Sequence, residues 1–248
     1  MTKTSARRDD PAVPLSMPVL LSLVAGYLDS YTYLSLFGLF AAQVTGSFVI
    51  AGAEFVTSDF GIAGKLIAIG AFVVAAAATA ALIIMAREAR SAALPWMLGL
   101  ETLLLAGFAA IVVFGPQVRD ARDWHGILAG VLAAMAMGAQ SVLVRLLMKD
   151  IPQTNVMTGN MTQLGIAVTE LLIARRRFDH SRHGTAALRD FADARARLIT
   201  VSAIAAGFLI GAAAGALAFA TTGVHGALAA VAIVGALAVW ALARQGST

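Results

Sequence analysis

A carboxylate in the middle of an apolar run is the first residue here that invites a chemical reading. Asp29 lies inside the stretch 19–42, and a carboxylate at such depth is expensive unless it faces a packed interior or an aqueous cavity. Ser22, Gly26, Asp29 and Tyr33 follow a 4-3-4 spacing and so share one helix face, with Tyr27 and Tyr31 on neighbouring stripes. That face can bind a proton, a cation or the positive end of a solute. It can equally be structural, with Asp29 protonated or paired only to lock two helices together. Both roles stay open.

A short phrase occurs twice. Gln43-Val44-Thr45-Gly46-Ser47-Phe48 is echoed by Asn155-Val156-Met157-Thr158-Gly159-Asn160-Met161, and each copy opens an apolar segment that is short or interrupted. In membrane proteins, matched broken segments in two halves point to a binding site. Thr45 and Thr158 can cap a helix start, while Gly46 and Gly159 allow close backbone approach. A helix beginning inside the membrane offers free N–H groups and a positive end to a polar or anionic group. Ser47 and Asn160 follow each Thr-Gly pair, and Gly159, Gln163, Ile166 and Glu170 recur at 4-3-4 behind the second. The plainer reading is an N-cap with interhelical hydrogen bonds. Gln140 and Arg145 extend the constellation; Arg145 either snorkels to the interface or pairs with Asp29 or Glu170. Glu54 reads as interfacial, whereas Glu101 lies deeper in its run.

No recognised catalytic motif is present: neither Gly-x-Ser-x-Gly, nor His-Glu-x-x-His, nor a phosphate-cradling loop. With no cysteine, thiolate chemistry and Cys-ligated metals are excluded. His180 and His183 lack further ligands at a set spacing, so neither a metal nor a cofactor is expected.

These residues must be positioned by membrane helices. The chain of 248 residues is 59% hydrophobic and 13% charged, with mean hydropathy +0.82, far from a soluble domain. Apolar runs of membrane-spanning length recur. The expected fold is an all-α polytopic membrane protein with about six to eight transmembrane segments. They form two four-segment repeats, each with a short or interrupted second segment. The boundaries are an N-terminal tail at 1–18, a first repeat at 19–116, a connector at 117–125, a second repeat at 126–243 and a C-terminal tail at 244–248. Gly207, Gly211 and Gly215 form a Gly-xxx-Gly ridge suited to close helix packing.

The sequence pI near 10.0 has a membrane explanation rather than a nucleic-acid one. Seven of the 18 Lys and Arg fall in the stretch 175–197, read as a basic cytoplasmic loop with room for a short surface helix, and Lys3, Arg7 and Arg8 precede the first span. Such clusters mark the cytoplasmic side and put the N-terminus inside. If the short segments span, the halves are parallel; if they are re-entrant, the halves are inverted. The basic residues fit both, and the length of the sixth segment tilts the reading toward eight spans. The lipid bilayer is the expected partner, and the oligomeric state is not legible.

Several phrases together resemble a known family. Gly26-Tyr27-Leu28-Asp29, the Thr-Gly phrases at 45–47 and 158–160, and Gly138-Ala139-Gln140-Ser141 followed by Val144-Arg145 occur in the order seen in YoaK-like bacterial membrane proteins, a family of unknown function. The resemblance covers most of the chain and implies a multi-pass protein of the bacterial inner membrane, with no activity attached. Ser47 and Ser141 stand where the family usually has Asn.

The expected function is a small-solute secondary transporter or permease with a polar mid-membrane site. Asp29 would take a coupling proton or ion, or the solute's positive group. Tyr27, Tyr33, Thr45, Gly46, Ser47, Gln140, Arg145, Thr158, Gly159, Asn160 and Gln163 would contact a small polar solute. The alternative is a non-transporting scaffold or accessory subunit. An intramembrane enzyme using Asp29 with Glu101 or Glu170 comes third.

Overall fold

Long apolar runs in a chain so poor in charge dictate helices, because in lipid every backbone polar group must be satisfied within its own segment. The computed structural model describes residues 14–57, 61–86, 90–148, 150–180 and 185–245. The tail up to residue 13, the polar breaks at 58–59 and 87–89, His183 and residues 246–248 lie outside the described residues. Eight α-helices and no strand occur among the described residues: α1 (Ser16–Ser35), α2 (Val44–Thr57), α3 (Ile62–Met85), α4 (Arg90–Phe114), α5 (Trp124–Leu147), α6 (Met157–His180), α7 (Thr185–Thr222) and α8 (Ala227–Gln245), with a 3₁₀ turn at Gly223–Gly226 before α8. Among the described residues, four helical stretches are long and apolar enough to cross a membrane: Ile62–Met85, Ala93–Phe114, Trp124–Leu147 and the continuous stretch Thr185–Gln245. The chain is a helical membrane protein.

One segment differs from the expectation. The first helix stops at Ser35, not near Ala42, because Phe37 (φ 54°) and Gly38 (φ 78°) turn the chain through left-handed backbone. The basic stretch 175–197 is helical up to His180 and again from Thr185. Its Ala, Arg and Leu favour helix, and α6 and α7 hold each other there through a Phe178–Phe191 ring stack at 6.0 Å and an Arg197–Glu170 ion pair at 3.2 Å. Charge marks where such a segment lies and says little about its conformation.

Packing rests on glycine. α1 and α7 meet backbone to backbone: a Cβ on Gly211 would lie 2.0 Å from the Leu23 carbonyl oxygen, and one on Gly215 would lie 2.2 Å from that of Tyr27. In return, a Cβ on Gly26 would lie 2.1 Å from the Phe208 carbonyl oxygen. The contacts ascend together along both helices, so α1 and α7 run parallel. α5 meets α3 in the same manner, with Gly138 over the Phe72 carbonyl oxygen at 2.4 Å for an added Cβ, and Gly64 against Ile127. α1 and α5 run in opposite directions: Gln140, late in α5, donates to the Leu21 carbonyl early in α1 at 3.0 Å, while Leu36 and Leu39, beyond the end of α1, cover Gly130 early in α5. α4 packs on α5 and α8; α2 packs on α3, and α6 on α7.

The turn before α5 is held by Asp123, whose carboxylate accepts the N–H groups of Arg119 at 2.6 Å and Asp120 at 3.3 Å. The Arg119 N–H, foremost, holds this exposed carboxyl below its ordinary range. The sign follows: its contribution is complete above the ordinary carboxylate value and disappears as acid carries the pH down through the lowered one.

Glycines touching backbone tolerate no side chain, whereas glycines facing open space do. Gly211→Val should destabilise the protein by at least about 3 kcal/mol, because two backbones must separate. Gly70→Ala, with nothing within 4 Å of the new methyl, should be neutral or stabilising by about 0.5–1 kcal/mol. Thermal melts of both variants in one detergent check the contrast.

Candidate functional site

Asp29 is buried in the bundle, 2% exposed. Its Oδ1 accepts the N–H of Ala42 at 2.6 Å and of Gln43 at 3.2 Å, the two residues just ahead of α2. A carboxylate thus occupies the donors at the start of a helix, where a bound anion would otherwise sit. Its Oδ2 has no hydrogen-bond partner. The residue does a structural job with one oxygen and leaves the other available.

A second polar group ties the loop ahead of α6. Gln140 Nε2 donates to Thr154 Oγ1 at 2.8 Å as well as to Leu21, so its amide nitrogen is fixed by a carbonyl and its Oε1 is left without a partner. Ser22 Oγ is 2.9 Å from both the Thr154 and Ile204 carbonyl oxygens. Asn155 Nδ2 donates to Ser141 Oγ and, at 3.5 Å, to the Met137 carbonyl, leaving Oδ1 unpartnered. Asp29 and this cluster leave only acceptor oxygens over; each spare atom wants a donor or a positive charge.

The two Thr-Gly phrases behave alike. Ser47 Oγ donates to the Phe40 carbonyl at 3.2 Å, and Asn160 Nδ2 to the Gln153 carbonyl at 2.6 Å, each reaching seven residues back. The Ser47 N–H donates to the Gln43 carbonyl and the Asn160 N–H to that of Val156, both at 3.2 Å. Hydroxyl and amide therefore do the same work, closing the loop onto the helix start. Gly46 makes room for the Phe40 ring, 2.8 Å from an added Cβ, and Phe40 stacks on Tyr33 at 5.0 Å.

Asp29, Tyr27, Ser47, Gln140 and Asn160 are buried, whereas Tyr33, Thr45, Arg145, Thr158, Gly159 and Gln163 lie on exposed surface. The Tyr27 hydroxyl is committed to the Gly226 carbonyl at 2.7 Å, where with Tyr31 it pins the turn before α8. The pairing of Arg145 with Asp29 or Glu170 does not form. Arg145 is exposed at the end of α5, Glu170 pairs with Arg197, and Asp29 holds backbone amides. Two clefts open elsewhere. One, about 350 Å³, lies between α6 and α7 beside Glu170, Arg177, Asp190 and Asp193. A niche of about 20 Å³ lies beside Lys65 and Asp120. Neither is lined by Asp29 or Gln140.

Lys65 is the residue that pattern reading missed. It looks like a flank of the third apolar run, yet it is 2% exposed and donates to Glu54 Oε1 at 2.6 Å and to the Phe37 carbonyl at 3.1 Å. Opposite charges on either side of the break at 57–61 were the available signal. The pair fastens α2 to α3 and to the left-handed turn.

Removing one member of a buried pair leaves the other charge stranded, so Lys65→Met should cost about 3 kcal/mol. Adding Glu54→Gln should restore more than half of that. A double-mutant cycle by thermal or denaturant unfolding reads the coupling.

Neither a curated protein nor a solved structure matches the chain. A family model does, described as a protein of unknown function (DUF1275), over residues 17–241. That range takes in every helix bearing the polar groups above, and the chain belongs to this family.

Proposed function

We propose that the protein is a small-solute secondary transporter or permease of the bacterial inner membrane, built as two inverted repeats around a polar mid-membrane site. In this reading the first half is 19–116 and the second 126–243, with the N-terminus and the basic α6–α7 region cytoplasmic. Each half crosses the membrane three times, and α2 and α6 are partial segments; 14 residues in α2 cover only about 21 Å of a ~30 Å core. The inverted arrangement draws support from reciprocal pairing: the first helix of each half lies parallel to the third helix of the other, through Gly26 over Phe208 and Gly138 over Phe72. The Ser47 and Asn160 bonds correspond in the same way. Each such pair joins a helix of one half to a helix of the other, which suits alternating access by rocking of one bundle against the other around a fixed site.

The observation that carries the reading is that three buried acceptor oxygens beside the loops ahead of α2 and α6 have no partner: Asp29 Oδ2, Gln140 Oε1 and Asn155 Oδ1. Groups left unsatisfied away from water are costly and cluster at functional sites. Because all three are acceptors and Asp29 already fills the start of α2, the solute is a cation or a hydrogen-bond donor such as an amine. An anion finds no welcome there. The scaffold reading draws on a different observation, the hold of Asp29 Oδ1 on Ala42 and Gln43, which serves packing whether or not anything is transported.

Asp29→Asn separates the two, since the amide oxygen retains the loop bond while the charge is lost. The purified protein, warmed with a panel of amines, monovalent cations and inorganic anions, should gain melting temperature with a member of the first two groups. In Asp29→Asn that gain should vanish, along with gradient-driven uptake of the same compound into proteoliposomes. Stabilisation by anions alone, or a gain unaffected by the substitution, overturns the reading.

A further inference from the structure

Glu101 sits midway along α4. Its side chain is fully buried, and neither carboxyl oxygen has a hydrogen-bond partner. The α4 residues one turn to either side on its face, Leu98 and Leu105, are fully buried and apolar, as is Phe108 beyond them. α4 packs on α5 and α8 and also touches the 3₁₀ turn and α3. The basic groups these elements carry are His125 and Arg145 near the two ends of α5, Arg244 in the last turn of α8, His225 in the turn, and Lys65 on α3. None hydrogen-bonds to Glu101: Lys65 serves Glu54, and Arg244 lies 4.4 Å over the Trp240 ring.

An ionised carboxylate removed from water needs a positive partner, and among the described residues the surrounding elements supply none. The partner must come from outside. A metal ion is poorly served, since hard cations want six or more oxygen ligands and Glu101 offers its two amid leucine and phenylalanine. A proton needs one. We propose that Glu101 is a proton-binding site in the membrane interior, separate from the solute site at Asp29, and that it carries the coupling proton of the transport cycle. The proton site stands on the geometry of α4; its coupling role rests on the transport reading.

A hydrophobic carbodiimide tests the site without any knowledge of the solute. It adds across the O–H of a protonated carboxyl to give an O-acylisourea, which rearranges to a stable N-acylurea with no other reactant; a carboxylate does not react. The full chain in liposomes should give an adduct mapped to Glu101 by peptide mass. Its yield should fall about tenfold for each pH unit above the midpoint, and Glu101→Gln should give none. The wild-type-minus-Glu101→Gln infrared difference should contain the band of a protonated carboxyl, whether or not the reagent reaches the site. Glu101→Leu, which removes two unpartnered oxygens, should melt higher than the wild type. No adduct at any pH, together with identical infrared spectra for wild type and Glu101→Gln, overturns the proton site. An adduct in a protein that moves no amine or cation supports the site and sinks the transporter reading. Proton-driven uptake that survives Glu101→Gln overturns the coupling role.

Discussion

The close approach of α1 and α7 is the contact on which the other arrangements depend. Without a hydrophobic drive between helices in lipid, association relies on dispersion at short range and on whatever polar groups can be satisfied across the seam. Three glycines on α7 and one on α1 bring carbonyl oxygens and α-carbons together. With α1 so fixed, its polar face has a definite address. Ser22 meets the loop ahead of α6, Asp29 meets the loop ahead of α2, and Tyr27 and Tyr31 reach the turn before α8.

The membrane class, the all-helical make-up and the polar face of α1 were legible in the sequence because they depend on composition and helical spacing. The Gly-xxx-Gly ridge announced close packing, although not that α1 was its partner. What could not be read were the partners of Asp29: they are backbone N–H groups of Ala42 and Gln43, and no pattern of side chains encodes which amide a carboxylate will meet. The Thr-Gly phrases were legible as paired features but misleading in emphasis, since Thr45, Thr158 and Gly159 lie on the surface while the third residue of each phrase does the bonding. Lys65 escaped because a lysine at the head of an apolar run is the ordinary appearance of a membrane flank.

Ser47 illustrates how a chemical difference between halves can leave geometry unchanged. A hydroxyl and an amide reach the same kind of carbonyl at the same sequence interval. The asymmetry of the interior arises elsewhere, in the carboxylate that braces one loop and the amides that brace the other.

The two short arms have a mechanical position that follows from these ties. The loop leading to α2 is anchored to α1 by Asp29, while α2 itself lies on α3. The loop leading to α6 is anchored to α5 by Gln140 and Asn155, while α6 lies on α7. Since α1 with α7 and α3 with α5 form two glycine-joined rods, and Ser22 of α1 also holds Thr154, both arms tie one rod to the other. The arms are cross-ties: a slide or tilt of one rod against the other would load both of them, at opposite ends of the antiparallel α1 and α5.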